Sequence, residues 1–322
     1  EITLPTGIDK DGRDRTAVCC LSSLNLENYD EWKDEPGFIE DIMRFLDNVL
    51  TDFINRAPES FDDAKYSAMR ERSVGLGVMG FHSFMQKNMI PVESVMAKVW
   101  NKKMFQLIDK EVNDASKKLA EERGPCPDAA EYGINERFSN KTAIAPTASI
   151  SIICGGASPG IEPIAANSYT HKTLSGSFNV RNKYLRKILQ KYNQDTNEVW
   201  SSITTNQGSV DHLDFLSQDE KDVFKTAFEI DQRWLIDHSA DRTPYISQAQ
   251  SLNVFIPADI HKKELHQIHY QAWKKGLKSL YYCRSKSIQR AEVVNNSFAK
   301  TKKQKNQEKQ QTTDYEECLS CQ

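Results

Sequence analysis

"MRERSVGLGVMGFH", Met69 to His82, is the stretch on which the fold turns. Gly75, Gly77 and Gly80 make a formal G-x-G-x-x-G, the phosphate-binding fingerprint of dinucleotide folds. The fingerprint works only where an apolar strand leads in, a helix leads out and an acid follows about 20 residues on. Here "MRERSV" leads in, polar and without the apolar run of a buried strand, and Glu93 lies only 13 residues past Gly80. The stretch therefore reads as a helix or turn packed so closely on a neighbour that only glycine fits. A nicotinamide site is set aside.

Helices flank it on both sides. Ile39, Ile42, Phe45, Leu46, Val49, Leu50, Phe53 and Ile54 follow three-four spacing, which predicts a helix over 38–54, with Pro36-Gly37 before it and Pro58 after. A second long helix is expected over 92–123, between Pro91 and Gly124-Pro125. "TAIA", Thr142 to Ala145, and "SLYYC", Ser279 to Cys283, read as strand-like. Helical patterns recur around 183–192, 218–238 and 260–275. From about 295 to 313 the sequence "KTKKQKNQEKQQTT" and its surroundings cannot bury surface and are expected to be disordered. No internal repeat is present.

Bulk properties exclude several classes. With 42 Lys+Arg against 45 Asp+Glu, no global field attracts nucleic acid. No apolar run approaches the roughly 18–20 residues of a membrane span. The 7 cysteines are odd in number and irregularly spaced, which points to a reducing cytoplasm rather than a disulfide framework. The chain opens at Glu1 without methionine, and "EITLPTG" reads like the middle of a domain.

Three groups of residues could carry chemistry. "APTASISIICGG", Ala145 to Gly156, has a short strand entering a loop of small hydroxyl residues, able to offer N–H and O–H groups to a phosphate. It lacks the Gly-Lys-Ser/Thr of a P-loop, and the residues alone favour an ordinary turn. His266 and His269 lie a helical turn apart with His261 upstream, yet no cysteine completes a metal set, so no metal site is expected. Cys318 and Cys321 form one CxxC at the end of the polar tail. Zinc needs four ligands and no second CxxC exists, whereas a dithiol can attack a disulfide and resolve the mixed intermediate. A tether would let it swing between partners. Two incidental thiols remain the alternative.

Several segments in order resemble the large, catalytic subunit of class I ribonucleotide reductase. They are "EITLPT", "AVCCLSSLNL" (Ala17 to Leu26), "RSVGLGVMGFH" (Arg72 to His82), "APTASIS" with "GIEP" (Gly160 to Pro163), "LSGSF" (Leu174 to Phe178), "QSLNVFI" (Gln250 to Ile256), "GLKSLYY" (Gly276 to Tyr282) and the terminal CxxC. The resemblance implies an α/β fold: part of the family's ten-stranded α/β barrel, with a smaller mostly helical domain and a flexible C-terminal tail. It divides the chain into 1–168 for half of the barrel, 169–275 for the helical domain, 276–294 for a final strand with the relay tyrosines, and 295–322 for the redox tail.

It also implies roles. Glu1 matches the base that deprotonates the ribose 3′-hydroxyl in the family's Asn-x-Cys-x-Glu motif, whose Asn and radical Cys would lie just upstream. Cys19 matches one of the two cysteines that reduce the 2′ position, and Cys20 stands where the family usually has another residue. Tyr281 and Tyr282 match the adjacent tyrosines that relay the radical. Pro146, Thr147, Ala148, Ser149 and Ile150 match the loop that cradles the substrate diphosphate. Cys318 and Cys321 match the tail dithiol, recharged by thioredoxin or glutaredoxin. The expected activity is reduction of ribonucleoside diphosphates, with no cofactor bound directly and the radical supplied by a metal-containing small subunit. The expected partners are that subunit and an upstream half of the large subunit, in a subunit split into two polypeptides, so that this chain alone is inactive. Two rival readings are a freestanding thiol–disulfide oxidoreductase and a non-catalytic assembly module.

Overall fold

A computed structural model describes residues 1–173 and 176–285. Its strands are β1 (Gly7–Ile8), β2 (Asp14–Arg15), β3 (Leu21–Asn25), β4 (Gly75–Met79), β5 (Ser168–Thr173), β6 (Gly176–Arg181), β7 (Val254–Ile256) and β8 (Cys283–Ser285). The glycine-rich stretch is β4, which corrects the expectation of a helix or turn. Its polar lead-in belongs to the Asp62–Glu71 helix and to Arg72, whose left-handed φ of 42° breaks that helix just before the strand. All five residues from Gly75 to Met79 are buried, Leu76 and Val78 fully on one face and Met79 on the other, so the strand is covered on both faces and shows no alternation. The close-packing half of the expectation is met: a Cβ on Gly77 would collide with the carbonyl oxygen of Ala143. Gly80 ends the strand at φ +78°, a conformation that favours glycine, and opens the Phe81–Lys87 helix.

Parallel pairing organises the molecule. β3 lies beside β4 in register from Leu21↔Gly75 to Asn25↔Met79. The "TAIA" segment takes the next position through bridges Leu76↔Thr142 and Ile144↔Gln250. Beyond it, β7 and β8 pair in parallel from Val254↔Cys283 to Ile256↔Ser285. Parallel neighbours require crossovers, and long helices supply two of them. Phe38–Arg56 connects β3 towards β4, and Val95–Arg123 connects β4 towards the "TAIA" segment. The latter helix starts at Val95 rather than Val92, because the Ser94 hydroxyl caps it by accepting the Ala97 N–H.

These two helices pack Met43, Leu46 and Leu50 with Phe105, Val112 and Leu119 into one apolar core. Each such fully buried side chain is worth roughly 1.5–3 kcal/mol. Within this layer Asp47 is wholly buried and meets Arg72, Arg123 and Arg137. Burial pulls its carboxyl upward, but hydrogen bonds and charge from Arg137, Arg72 and Arg123 hold it below the usual value.

A second cluster, with Leu185, Leu189, Trp200, Ile203 and Phe224, forms among the helices Lys183–Lys191, Asn197–Thr205 and Gln218–Val223. An antiparallel hairpin, β5 with β6, precedes it and had no signal in the sequence pattern. The helix expected across 218–238 is two, Gln218–Val223 and Gln232–Arg242. Ser217 and Glu220 cap the first reciprocally, and the Asp231 carboxylate starts the second by accepting the Arg233 N–H. Leu235, Ile236 and Ile268 join the main core. No helix among the described residues is long and apolar enough to cross a membrane.

Candidate active site

The segment 248–254 is a hub. On one side the Ala249 N–H donates to the Glu1 carbonyl at 2.9 Å, and the Ser251 hydroxyl donates to the Glu1 carboxylate. On the other, the Tyr281 N–H donates to the Leu252 carbonyl at 2.8 Å and the Val254 N–H to the Tyr282 carbonyl at 2.9 Å. The Lys278 ammonium fixes the approach by donating to the carbonyls of Ile246, Ser247 and Gln248 at 2.7–2.8 Å. The expected strand over Ser279 to Cys283 thus follows a strand-like path, although regular pairing begins only at Cys283. The rings of Tyr281 and Tyr282 stand 4.1 Å apart, centroid to centroid, at 49°. Tyr282 is half exposed, with the Arg284 guanidinium 5.2 Å from its ring centre.

The loop 146–150 leaves directly from the Ile144 end of its strand. Thr147 adopts φ +54° and its Oγ1 accepts the Gly160 N–H at 2.7 Å. Its carbonyl accepts the Ser151 N–H at 3.0 Å. Thr147 is therefore buried and shapes the loop, while Ser149 and Ile150 face outward. Pro146 and Ala148 are half-buried between them.

Two residues of this region carried no role in the sequence reading. Glu162, in "GIEP", is buried, and its oxygens accept the Asn253 N–H at 2.7 Å and the Asn253 Nδ2–H at 3.1 Å. Burial pushes its carboxyl up to about 7, against those two bonds and the Arg284 charge, which pull down. His82 is buried, its Nδ1 accepting the Ile164 N–H at 3.0 Å, and burial drives its ring down to about 3. A carboxyl between Pro159 and Pro163 reads from sequence as a polar turn; only the folded chain puts it under Asn253.

Cys19 and Cys20 differ sharply. Cys19 is exposed; Cys20 is buried with its Sγ 3.8 Å from the Leu46 carbonyl, and burial pushes its thiol up to about 11. Both precede β3, so two strand positions, β4 and the "TAIA" segment, separate them from the hub. Glu1, the tyrosine pair and the loop are gathered around 248–254, and Cys19 lies apart. Cys318, Cys321 and the stretch from 286 onward lie outside the described residues, as do Leu174 and Ser175 of "LSGSF". His266 and His269 are exposed on the Lys262–Lys274 helix, and no group of His, Cys, Asp or Glu among the described residues could hold a metal ion.

Comparison with known proteins bears on this arrangement. The family model for the ribonucleotide reductase barrel domain matches residues 1–133 and 128–283. The ribonucleoside-diphosphate reductase large subunit of Invertebrate iridescent virus 6 is 51% identical over 301 residues, 92% of this chain and 31% of that protein. The putative ribonucleoside-diphosphate reductase large subunit of Frog virus 3 (isolate Goorha) is 42% identical over 288 residues, 88% of this chain and 49% of that one. Among solved structures, the Actinobacillus ureae class Id ribonucleotide reductase alpha subunit superposes with a TM-score of 0.79 at 38% identity, over 87% of this chain and 51% of that one. The chain belongs to the ribonucleotide reductase barrel-domain family, and its fold is α/β. It spans between about a third and a half of the length of these relatives.

Proposed function

We propose that this chain is the C-terminal part of a ribonucleotide reductase large subunit that converts ribonucleoside diphosphates to deoxyribonucleoside diphosphates in a reducing cytoplasm. The hub at 248–254 carries the reading, because one segment holds both Glu1 and the Tyr281–Tyr282 pair. Glu1 serves as base for the ribose 3′-hydroxyl, its carboxylate oriented by the Ser251 hydroxyl. Tyr281 and Tyr282 pass the radical from a metal-containing small subunit towards a cysteine in the upstream half of the large subunit; the close approach of their rings supports that use. The loop 146–150 takes the diphosphate, with Thr147 holding its shape against Gly160 and Ser149 offering its hydroxyl outward.

Cys19 supplies one of two thiols that reduce the 2′ position. The pair gives up two electrons and becomes a disulfide, while the 2′-hydroxyl leaves as water. Its exposure, against the burial of Cys20, favours Cys19 over its neighbour. Cys318 and Cys321 then re-reduce that disulfide and are recharged by thioredoxin or glutaredoxin.

The test is CDP reduction by the complete large subunit, upstream half included, with its small subunit. Wild type should turn over with either dithiothreitol or thioredoxin. Tyr282→Phe should abolish turnover with both, and Cys318→Ser should abolish only the thioredoxin-driven reaction. Absence of CDP reduction by the wild-type assembly would overturn the proposal, and equal loss with both reductants in Cys318→Ser would remove the shuttle.

A further inference from the structure

We infer that Glu162 is a positioning residue for the tyrosine pair, acting through Asn253. This rests on the relay reading of Tyr281 and Tyr282. The geometry is a three-member chain of hydrogen bonds. The two oxygens of Glu162 accept the backbone N–H and the side-chain Nδ2–H of one residue, Asn253, at 2.7 and 3.1 Å. The remaining end of that amide, Oδ1, accepts the Tyr282 N–H at 2.9 Å. The amide thus has no freedom to turn over: reversed, it would face the Tyr282 N–H with a second donor and leave Glu162 facing an acceptor.

Burial makes the arrangement consequential. Glu162 and Asn253 are 6% and 4% exposed, so water cannot replace a lost partner. The neighbouring backbone bonds, Tyr281 N–H to Leu252 and Val254 N–H to Tyr282, would hold the strand but not the local tilt of Tyr282. Asn253 supplies a side-chain contact to the Tyr282 backbone, and Glu162 dictates which atom Asn253 presents. Ring placement matters because transfer between two adjacent groups falls steeply with small misplacement.

The donor–acceptor pattern gives a test that simple loss of packing does not mimic. A carboxyl keeps an acceptor lone pair on each oxygen in either protonation state, whereas glutamine keeps only one acceptor atom. Glu162→Gln therefore sets Nε2 against Asn253 Nδ2, donor against donor. Adding Asn253→Asp restores complementarity: the Nε2 of the introduced glutamine donates to one oxygen of the introduced aspartate, and the other oxygen still accepts the Tyr282 N–H.

The experiment is steady-state CDP reduction by the complete large subunit with its small subunit and dithiothreitol, alongside thermal unfolding of each variant. Glu162→Gln should lower kcat by about tenfold or more with the CDP KM unchanged. The Glu162→Gln/Asn253→Asp double variant should recover to within about threefold of wild type. A fully active Glu162→Gln beside an inactive Tyr282→Phe overturns this inference alone. Full turnover by Tyr282→Phe overturns the relay reading and this inference with it. Where Glu162→Gln alone fails to fold, the double variant decides: recovery supports the inference, and kcat below about a tenth of wild type overturns it.

Discussion

Gly77 and Ala143 lie so close across two parallel strands that the space a Cβ on Gly77 would take is already filled by the Ala143 carbonyl oxygen. The obstacle is backbone, held in place by the Ala143 N–H to Leu76 carbonyl bond at 3.3 Å and by the Ile144 N–H to Ala249 carbonyl bond at 3.1 Å. It cannot step aside as a flexible side chain would. Gly77→Ala should cost about 3 kcal/mol, the upper range for overpacking a core, read as a lowered denaturant midpoint at unchanged slope. Unchanged stability would show that the strands can part.

Asp47 is a carboxylate that faces Arg72, Arg123 and Arg137 together from inside the core. Asp47→Ala leaves guanidinium charge buried without this counter-charge, at a cost of about 3–5 kcal/mol. Asp47→Asn should recover part of this through its remaining hydrogen bonds. Urea unfolding of both variants checks the order, and an alanine variant as stable as wild type would contradict it.

Glu162 makes stability fall as pH rises. Its folded value is raised to about 7 by burial, above the ordinary 4.5. The stabilising contribution of its protonated form is therefore complete below 4.5 and is lost as pH climbs through about 7, amounting to about 3 kcal/mol at most. His82 and His238, pushed down to about 3 and about 4 by burial, slope the other way: they destabilise the fold as pH drops below 6.5. Both histidines are present in wild type and in Glu162→Gln, so the difference between the two proteins isolates the carboxyl. Wild type should lose stability relative to Glu162→Gln between pH 4.5 and 7. A pH-independent difference would show that Glu162 ionises normally.

Cys19 should react far faster than Cys20 with iodoacetamide at about pH 8. One thiol is exposed, and the other is buried and raised to about 11, which holds its thiolate fraction well below that of an ordinary thiol. Mass spectrometry of the two adjacent positions after brief labelling gives the ratio. Equal labelling would remove the distinction on which Cys19 was preferred.

Sequence alone placed helices over 38–54 and 92–123, within a few residues of the Phe38–Arg56 and Val95–Arg123 helices, since three-four apolar spacing in the first and flanking proline and glycine in both are local signals that packing only had to accept. It also carried the family, through short segments whose order survives along the chain. It missed β4 because a strand buried on both faces loses its alternation, and because a helix supplies the polar residues before it. The β5–β6 hairpin was missed for a related reason, since its residues are as polar as the loops around them. At the candidate site, Glu1, the loop 146–150 and the tyrosine pair could each be singled out, but nothing in the order of residues says that 248–254 joins Glu1 to the tyrosines. Glu162 and Asn253 are 91 positions apart. The tertiary structure decided their pairing, because which carboxyl ends beneath which amide depends on how the crossovers lay the parallel strands side by side, a long-range outcome that no local pattern encodes.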